Sequence, residues 1–329
     1  MNVGQTPNRG GEMPNIGPAS HKTLSESKRL RTPGWTTLAM VEYALAKRCV
    51  VGILAGMRLV VPLLAMLLVA CTRTPGPNEL TGVGCPKGMV SIPGGSFDMG
   101  SNSGDPAESP VHRVTVRGFC MDVTEVTVEA YAACVRGGGC STLGLQGPSE
   151  WWSVACHWGK SGKGNHPINC VDWDQATAYC QWAGKRLPTE EEWEYGARGT
   201  DGRTYPWGNG APGPRLLNAC GSECVAWVKK QGHPWKAMHS FDDGWATTAP
   251  VGSFPAGDSP FGLKDMAGNV WEWTSSEYSE EYEKNRANKY RIDRGGGWYY
   301  DNPSYVRAAY RNWLLPSLRF INLGFRCAR

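Results

Sequence analysis

HPINCVDWDQATAYCQWAGKRLPTEEEWEYGARG, residues 166–199, is the stretch in which local folding signals are densest. Asp172 stands at an N-cap position, where a short acceptor side chain can bond first-turn N–H groups that lack a helical partner. Trp173, Ala176, Tyr179 and Cys180 then recur on one face, predicting a helix over residues 172–183 that Gly184 ends. Thr189-x-x-Glu192 has the spacing of a capping box and opens a second helix, TEEEWEYGAR.

Outward from this stretch, regular structure thins. Residues 88–100, GMVSIPGGSFDMG, read as a strand, a glycine turn and a second strand, and residues 111–115 alternate like a strand. Residues 124–134, TEVTVEAYAAC, carry a threonine cap and helical spacing of Val128, Tyr131 and Ala132. Beyond Gly199, regular structure is expected only around residues 296–299 and 324–327. With 42 glycines, 23 prolines and 15 tryptophans, the composition favours loops held by aromatic packing over long helices or wide sheets. No internal repeat is visible.

The formal charge of +4 misleads. Residues 1–71 hold 8 Lys/Arg and 3 Asp/Glu, which leaves 26 against 27 in the rest, a net of −1. A nearly neutral domain argues against nucleic acid as a partner. Of the twelve cysteines, Cys49 and Cys71 precede that domain and ten lie within it. An even set in an exported chain reads as up to five disulfides. Structural zinc, with His112, His157 and His166 as further ligands, is the competing reading, but no C-x-x-C pair occurs.

Export is expected from residues 57–71. Met57-Arg58 precedes an apolar run over residues 59–70 that is too short to span a bilayer comfortably, which takes about 20 apolar residues. Leu68-Val69-Ala70-Cys71 resembles a bacterial lipobox, in which Cys71 would be lipidated and tie the chain to the membrane. A plain signal peptide ending in cysteine is the alternative. Residues 72–84 are polar and Pro/Gly-rich at first, as suits a tether. Residues 1–56 fit the signal badly. They read as an upstream extension from a misassigned start, with Met57 the true start, in preference to a disordered segment.

Several segments carry a family likeness. ESPVHRVTVRGFCMDVTEVT (108–127), residues 166–199, YPWGN (205–209), PFGLKDMAGNVWEWTS (260–275), RGGGW (294–298) and NLGFRCAR (322–329) run in one order. Together they resemble the formylglycine-generating enzyme, or sulfatase-modifying factor, family over residues 85–329. The resemblance implies an α+β, loop-rich fold with low regular secondary structure, related to C-type lectin-like domains. It also implies a disulfide between Cys180 and Cys327. A second family bridge would fall at Ala197 and Tyr310, and both halves are replaced here. The other eight cysteines are additions. Cys220–Cys224 and Cys134–Cys140 are the nearest pairs, followed by Cys85–Cys120 and Cys156–Cys170.

In the family's enzymes, two cysteines beyond the glycine turn bind copper, since soft thiolates select Cu(I). Aligned from Gly295, those places hold Tyr300 and Tyr305, and Gly297 replaces the turn serine. No cysteine lies between Cys224 and Cys327, so no shift of alignment restores the pair. A phenol, with a pKa near 10, is a hard oxygen ligand unsuited to Cu(I). Copper is therefore not expected. Tyr299, Asp301, Arg307 and Arg311 crowd the same segment and suggest a cleft for a peptide, glycan or carboxylate. Alternatively, the tyrosines fill space left by lost thiols. His166 reads as a packed or capping residue in preference to a base or ligand.

The resemblance further implies two structural calcium ions. The first would take the side chains of Asn218 and Asp243 and the carbonyls of Ala219 and Trp245. The second would take Asp265 and Glu272 with the carbonyls of Gly268 and Val270, oxygen donors that suit a hard cation. Read from the residues alone, Asp265 and Asn269 make turns and Glu272 is a surface acid. The leading expectation is thus a non-catalytic binding or scaffold lipoprotein of the bacterial cell envelope, at the outer membrane or facing the periplasm, with a peptide, glycan or envelope protein as ligand. The alternative is an oxidoreductase of the same family acting on protein cysteine or another substrate.

Overall fold

The computed structural model describes residues 84–147, 153–279 and 289–329. The extension, the signal segment with Cys71, and the tether up to residue 83 lie outside the described residues. In chain order the elements are β1 (Met89–Ile92), β2 (Gly95–Met99), β3 (His112–Val116), β4 (Phe119–Asp122), α1 (Val128–Arg136), α2 (Trp173–Trp182), α3 (Glu190–Arg198), α4 (Ser222–Lys230), β5 (Trp271–Glu277), β6 (Arg291–Arg294), β7 (Asn312–Leu314) and β8 (Leu323–Gly324). The fold is α+β and loop-rich.

The two densest local signals are met. Asp172 accepts from Gln175 N at 2.8 Å while the Gln175 side chain accepts from Asp172 N at 3.2 Å, closing a capping box on α2. Gly184 follows α2 with φ +69°, a left-handed turn that glycine enters at no steric cost. On α3, Thr189 Oγ1 accepts from Glu192 N at 3.2 Å and Glu192 Oε2 accepts from Thr189 N at 2.9 Å. The start of α1 differs from expectation. Its cap is Thr127, whose Oγ1 accepts from Ala130 N at 3.1 Å, so Thr124 to Val126 lie before the helix. α4 was not foreseen, because Gly221 at its N-cap offers no side-chain acceptor.

The strands over 88–100 form but do not pair with each other. β1 pairs antiparallel with β4, and β2 with β3, so the Pro93-Gly94 corner moves the chain from one ribbon to the next. The remaining strands form one sheet in the order β7-β6-β5-β8, with β5 and β8 parallel. Residues 296–299 are not regular structure. They are a loop after β6, held by Trp298 N donating to Asn269 O at 2.9 Å and Trp298 Nε1 donating to Ile321 O at 3.2 Å. β5 and β6 escaped notice because both faces are covered. Trp271, Glu272, Trp273 and Thr274 are all buried, so polar and apolar residues do not mark outside and inside.

Among the described residues, two large apolar clusters dominate the core, with a smaller one around Leu217, Ala219, Ala267 and Val306. One gathers Tyr131, Tyr179, Trp271, Trp273 and Phe325 between α1, α2 and the sheet. The other packs Ile92, Phe97, Met121, Trp193 and Leu263 under the two ribbons. The described cysteines all form disulfides: Cys85–Cys120, Cys134–Cys140, Cys156–Cys170, Cys180–Cys327 and Cys220–Cys224. The zinc reading therefore has no thiolate to use. Cys180–Cys327 spans 147 residues, for which the chain-entropy account gives roughly 5 kcal/mol.

Candidate functional site

The loop after β6 is fixed from beneath by Arg294. This fully buried guanidinium donates from one nitrogen to Ala308 O at 3.0 Å and Tyr310 O at 2.9 Å, and from another to Glu194 Oε2 at 2.7 Å. The loop thus returns over the sheet with its aromatic side chains together. Tyr300 meets Trp271 edge-on at 5.7 Å and Tyr305 edge-on at 5.0 Å. Tyr305 meets Tyr310 at 5.0 Å, and Tyr310 meets Trp271 at 5.9 Å, which closes a ring of four side chains. Tyr300 and Tyr305 are half-buried, while Trp271 and Tyr310 are buried. Burial holds the phenols of all three tyrosines above the ordinary value, so they remain neutral at pH 7. A Cβ added at Gly297 would lie 3.0 Å from Asn322 Cβ, so the backbone packs tightly where the family has serine.

The donor set fails the requirements of copper. The two expected positions present neutral phenols, and disulfides hold every described cysteine. The surrounding cleft also differs from expectation. Arg311 is buried and clasped by Glu190, at 2.5 Å and 3.0 Å, with a further bond to Ala107 O at 2.8 Å. Arg307 makes a two-pronged pair with buried Glu108, at 2.9 Å and 2.5 Å. Both guanidiniums are committed to the fold and do not face a ligand. Tyr299 leaves the group as well: it stacks on Trp235 at 4.3 Å. Asp301 is exposed.

Asp293 was missed by sequence reasoning. It lies on β6, has no exposed surface, and takes one hydrogen bond from Asn312 Nδ2 at 2.8 Å. Its Oδ1 has no partner, and burial lifts its carboxyl to about 7. Trp273 is its cross-strand partner on β5, so Trp271 is a diagonal neighbour on the same face. The indole of Trp271 is buried against the Tyr300 hydroxyl, which it meets as a hydrogen-bond neighbour. No sequence signal marks Asp293, since its Oδ1 becomes an orphan only through long-range packing.

The loops expected to hold cations lie side by side. Asn269 N donates to Asn218 O at 2.9 Å, and a Cβ on Gly268 (φ +78°) would sit 2.2 Å from that carbonyl oxygen. Only glycine permits so close an approach. At the first set, Asn218 Oδ1 is buried without a partner. Asp243 accepts from Ala219 N at 2.9 Å and Trp245 N at 3.0 Å, and burial raises it to about 7. The carbonyls of Ala219 and Trp245 accept no hydrogen bond among the described residues. These donors fit a hard cation.

At the second set the acids are rearranged. Glu272 is no surface acid; it is fully buried, with both oxygens bonded to Arg326 at 2.7 Å and one also to Trp193 Nε1 at 2.8 Å. The carboxylate free to take a cation is Glu125, which sequence reading passed over. Its Oε1 accepts from Asn269 Nδ2 at 2.9 Å, and its buried carboxyl lies against that of Asp265, the two held together by a shared proton. Burial, then the neighbouring Asp265 charge, holds Glu125 well above the usual carboxylate range, and burial raises Asp265 too. The Gly268 and Val270 carbonyls are unclaimed by hydrogen bonds. Two buried carboxyls with carbonyls and an amide suit a divalent cation. Among the described residues, no three His, Cys, Asp or Glu side chains converge as a metal cluster, so any ion would rely on these mixed donors.

The histidines make no catalytic pair. His157 and His166 are buried around the Thr248 hydroxyl, with His166 Nδ1 2.9 Å from it and the two rings 5.3 Å apart. Burial and then Lys163 lower them to about 3 and about 4, so both stay neutral at pH 7. His112 stands elsewhere, on β3, with Nδ1 3.0 Å from Pro110 O.

Known proteins share this architecture. Residues 78–329 match the family described as the sulfatase-modifying factor enzyme 1-like domain. The formylglycine-generating enzyme of Streptomyces coelicolor is 38% identical over 293 residues, covering 74% of this chain and 89% of that protein. The inactive C-alpha-formylglycine-generating enzyme 2 of Bos taurus is 34% identical over 280 residues, covering 73% and 87%. Among solved structures, PvdO from Pseudomonas aeruginosa superposes with a TM-score of 0.55 at 28% identity, covering 73% of this chain and 93% of that one. With these motifs, this fold and this span of matched residues, the chain belongs to the sulfatase-modifying factor, or formylglycine-generating enzyme, family.

Proposed function

We propose that this chain is a non-catalytic binding or scaffold member of its family, exported and held at the bacterial cell envelope by lipid on Cys71. One observation carries the first half. By family resemblance Tyr300 and Tyr305 take the copper-thiolate positions; they pack edge to face at 5.0 Å, and the described cysteines are all bridged. A Cu(I) centre has no ligand there. The relative named as inactive supports the reading that this fold serves without the oxidase chemistry. The lipobox-like run ending at Cys71 supports the anchor, and five disulfides support an oxidising compartment.

Calcium belongs to the same reading. Asn218 and Asp243 would hold one ion with the Ala219 and Trp245 carbonyls. Glu125 and Asp265 would hold another with those of Gly268 and Val270. Such ions neutralise buried acids and pin loops that have few ladder hydrogen bonds.

The deciding assay is incubation of the purified protein with copper, oxygen and a peptide containing Cys-x-Pro-x-Arg. No formylglycine is expected, and turnover would sink the non-catalytic reading. Fractionation of cells tests the anchor: Cys71→Ala should move the protein to the soluble fraction, and its persistence in the membrane pellet would refute lipidation.

A further inference from the structure

We propose that the flank of α2 bearing Trp182, Leu143 and Leu318 docks on a lipid bilayer surface. This deepens the envelope reading above, and it rests on the Cys71 anchor for bringing the flank to the membrane.

Three segments build the flank. After α1 the chain runs back along α2 from its end to its start. A Cβ added at Gly139 would lie 2.4 Å from the Trp182 indole, and one at Gly137 would lie 3.1 Å from its Nε1, so the ring rests against the glycine run. Further along, Gln175 Nε2 donates to Ser141 O at 3.3 Å and to Leu143 O at 2.9 Å. Gly144 then lies against Arg319, which pairs with Asp172 at the start of α2. Residues 139–144 thus follow α2 from Trp182 to Asp172, with Leu318 beside their far end.

The exposed surface is apolar and its charge has one sign. Trp182 is 45% exposed, Leu143 75% and Leu318 36%. Scattered apolar residues on a surface are ordinary, but three of the five large exposed ones among the described residues share this flank. Residues 136–144, 181–186 and 316–319 carry Arg136, Lys185, Arg186 and Arg319 and no Asp or Glu. Lys185, Arg186 and Arg319 pair with acids from other segments, and Arg136 is exposed. A fixed tryptophan among apolar and basic side chains suits the membrane–water interface, where anionic headgroups add attraction.

The path of the chain says what covers this flank. Cys85 is bridged to Cys120, and Asp122, two residues on, pairs with Lys185 at 2.5 Å, three residues after Trp182. The chain therefore enters the domain close to the Trp182 end of α2. Residues 72–84 separate Cys71 from that entry. A flexible segment of this length reaches roughly 20 Å, close to the radius of gyration of about 18 Å expected for residues 85–329. A lipid on Cys71 thus keeps the bilayer on the entry side of the domain. So short a link gives a high effective concentration, at which a weak contact is enough.

The test places the lipid-bearing chain on phosphatidylethanolamine/phosphatidylglycerol vesicles containing a diazirine phospholipid, and maps adducts by mass spectrometry after irradiation. Adducts on peptides holding Trp182, Leu143 and Leu318 should exceed those on β2 and β3 at least about fivefold, since the tryptophan-bearing face is the one that meets lipid. Leu143→Asp, with circular dichroism checking its fold, should cut the Trp182 adducts at least about threefold, because a charge resists entry into the interface. Evenly spread adducts, or an unchanged Leu143→Asp map, would overturn the docking and leave the anchor standing. Dimers cross-linked through the flank without lipid adducts would overturn it in favour of a second copy of the chain. A Cys71 that carries no lipid by mass would refute the anchor alone. Coupling its thiol to a maleimide lipid then puts the chain on the same vesicles, and the adduct map decides the docking.

Discussion

Trp271 and Glu272 are neighbours on β5 and face opposite sides of the sheet, and the two sides are finished differently. On the Glu272 side every oxygen is spoken for: Arg326 forks onto the carboxylate and the Trp193 indole completes it. On the Trp271 side the Asp293 Oδ1 is buried with nothing to bond, beside the ring made by Tyr300, Tyr305 and Tyr310. The difference separates two states of a buried carboxyl. The Glu272 carboxylate is satisfied by its neighbours, whereas Asp293 is left short of a partner and burial lifts it to about 7.

The sharpest way to break the contrast is Arg326→Met. It strands the Glu272 charge in the core, and removing one partner of a buried pair costs about 3–5 kcal/mol. Chemical denaturation should show that loss, and a loss below 1 kcal/mol would mean that the Arg326–Glu272 pair does not hold the fold. Calcium removal comes next. If Asn218, Asp243, Glu125 and Asp265 hold the two ions with their neighbouring carbonyls, a chelator should cost about 3 kcal/mol per ion when calcium stood at a hundred times its Kd, seen as a falling Tm. An unmoved Tm would refute the ions.

Asp293→Asn should act in the opposite direction. The folded carboxyl sits at about 7 against an unfolded value near 4, so the folded state prefers the proton. Its stabilising contribution is complete below pH 4 and is lost as pH rises through 7. The variant should therefore nearly match the parent at pH 4 and be more stable at pH 8 by about 4 kcal/mol, three pKa units at roughly 1.4 kcal/mol each. A variant that is destabilised at pH 8 would show Asp293 to be a satisfied structural acid. Tyr305→Phe is the smallest change. It keeps the ring contacts to Tyr300 and Tyr310, so Tm should stay within the range of a surface substitution, about 0.5 kcal/mol.

What the sequence revealed follows the range of the forces involved. α2 and α3 were legible because Asp172 with Gln175, and Thr189 with Glu192, settle their helix starts within three residues. The family motifs carried the fold and the Cys180–Cys327 bridge. Glu272 was expected as a calcium ligand, and its commitment to Arg326 was illegible because that partner is 54 residues away. Arg311 was misread as a ligand-facing cation because Glu190 lies 121 residues earlier. Glu125 passed unnoticed because it is an ordinary acid in sequence and joins a buried acid pair only when Asp265 and Asn269 close over it. A polar residue in this fold takes its meaning from contacts that no local pattern encodes.

Cys327 and Ala328 are fully buried, and Arg329 follows them at the surface. Ala328 bridges both Met121 and Arg186, Arg329 and Cys120 exchange backbone hydrogen bonds, and Cys327 carries the bridge to α2. A ribosome delivers this segment after nearly everything it must join. The ribbon of β1 and β4 therefore waits, one edge open, until residue 329 has been synthesised.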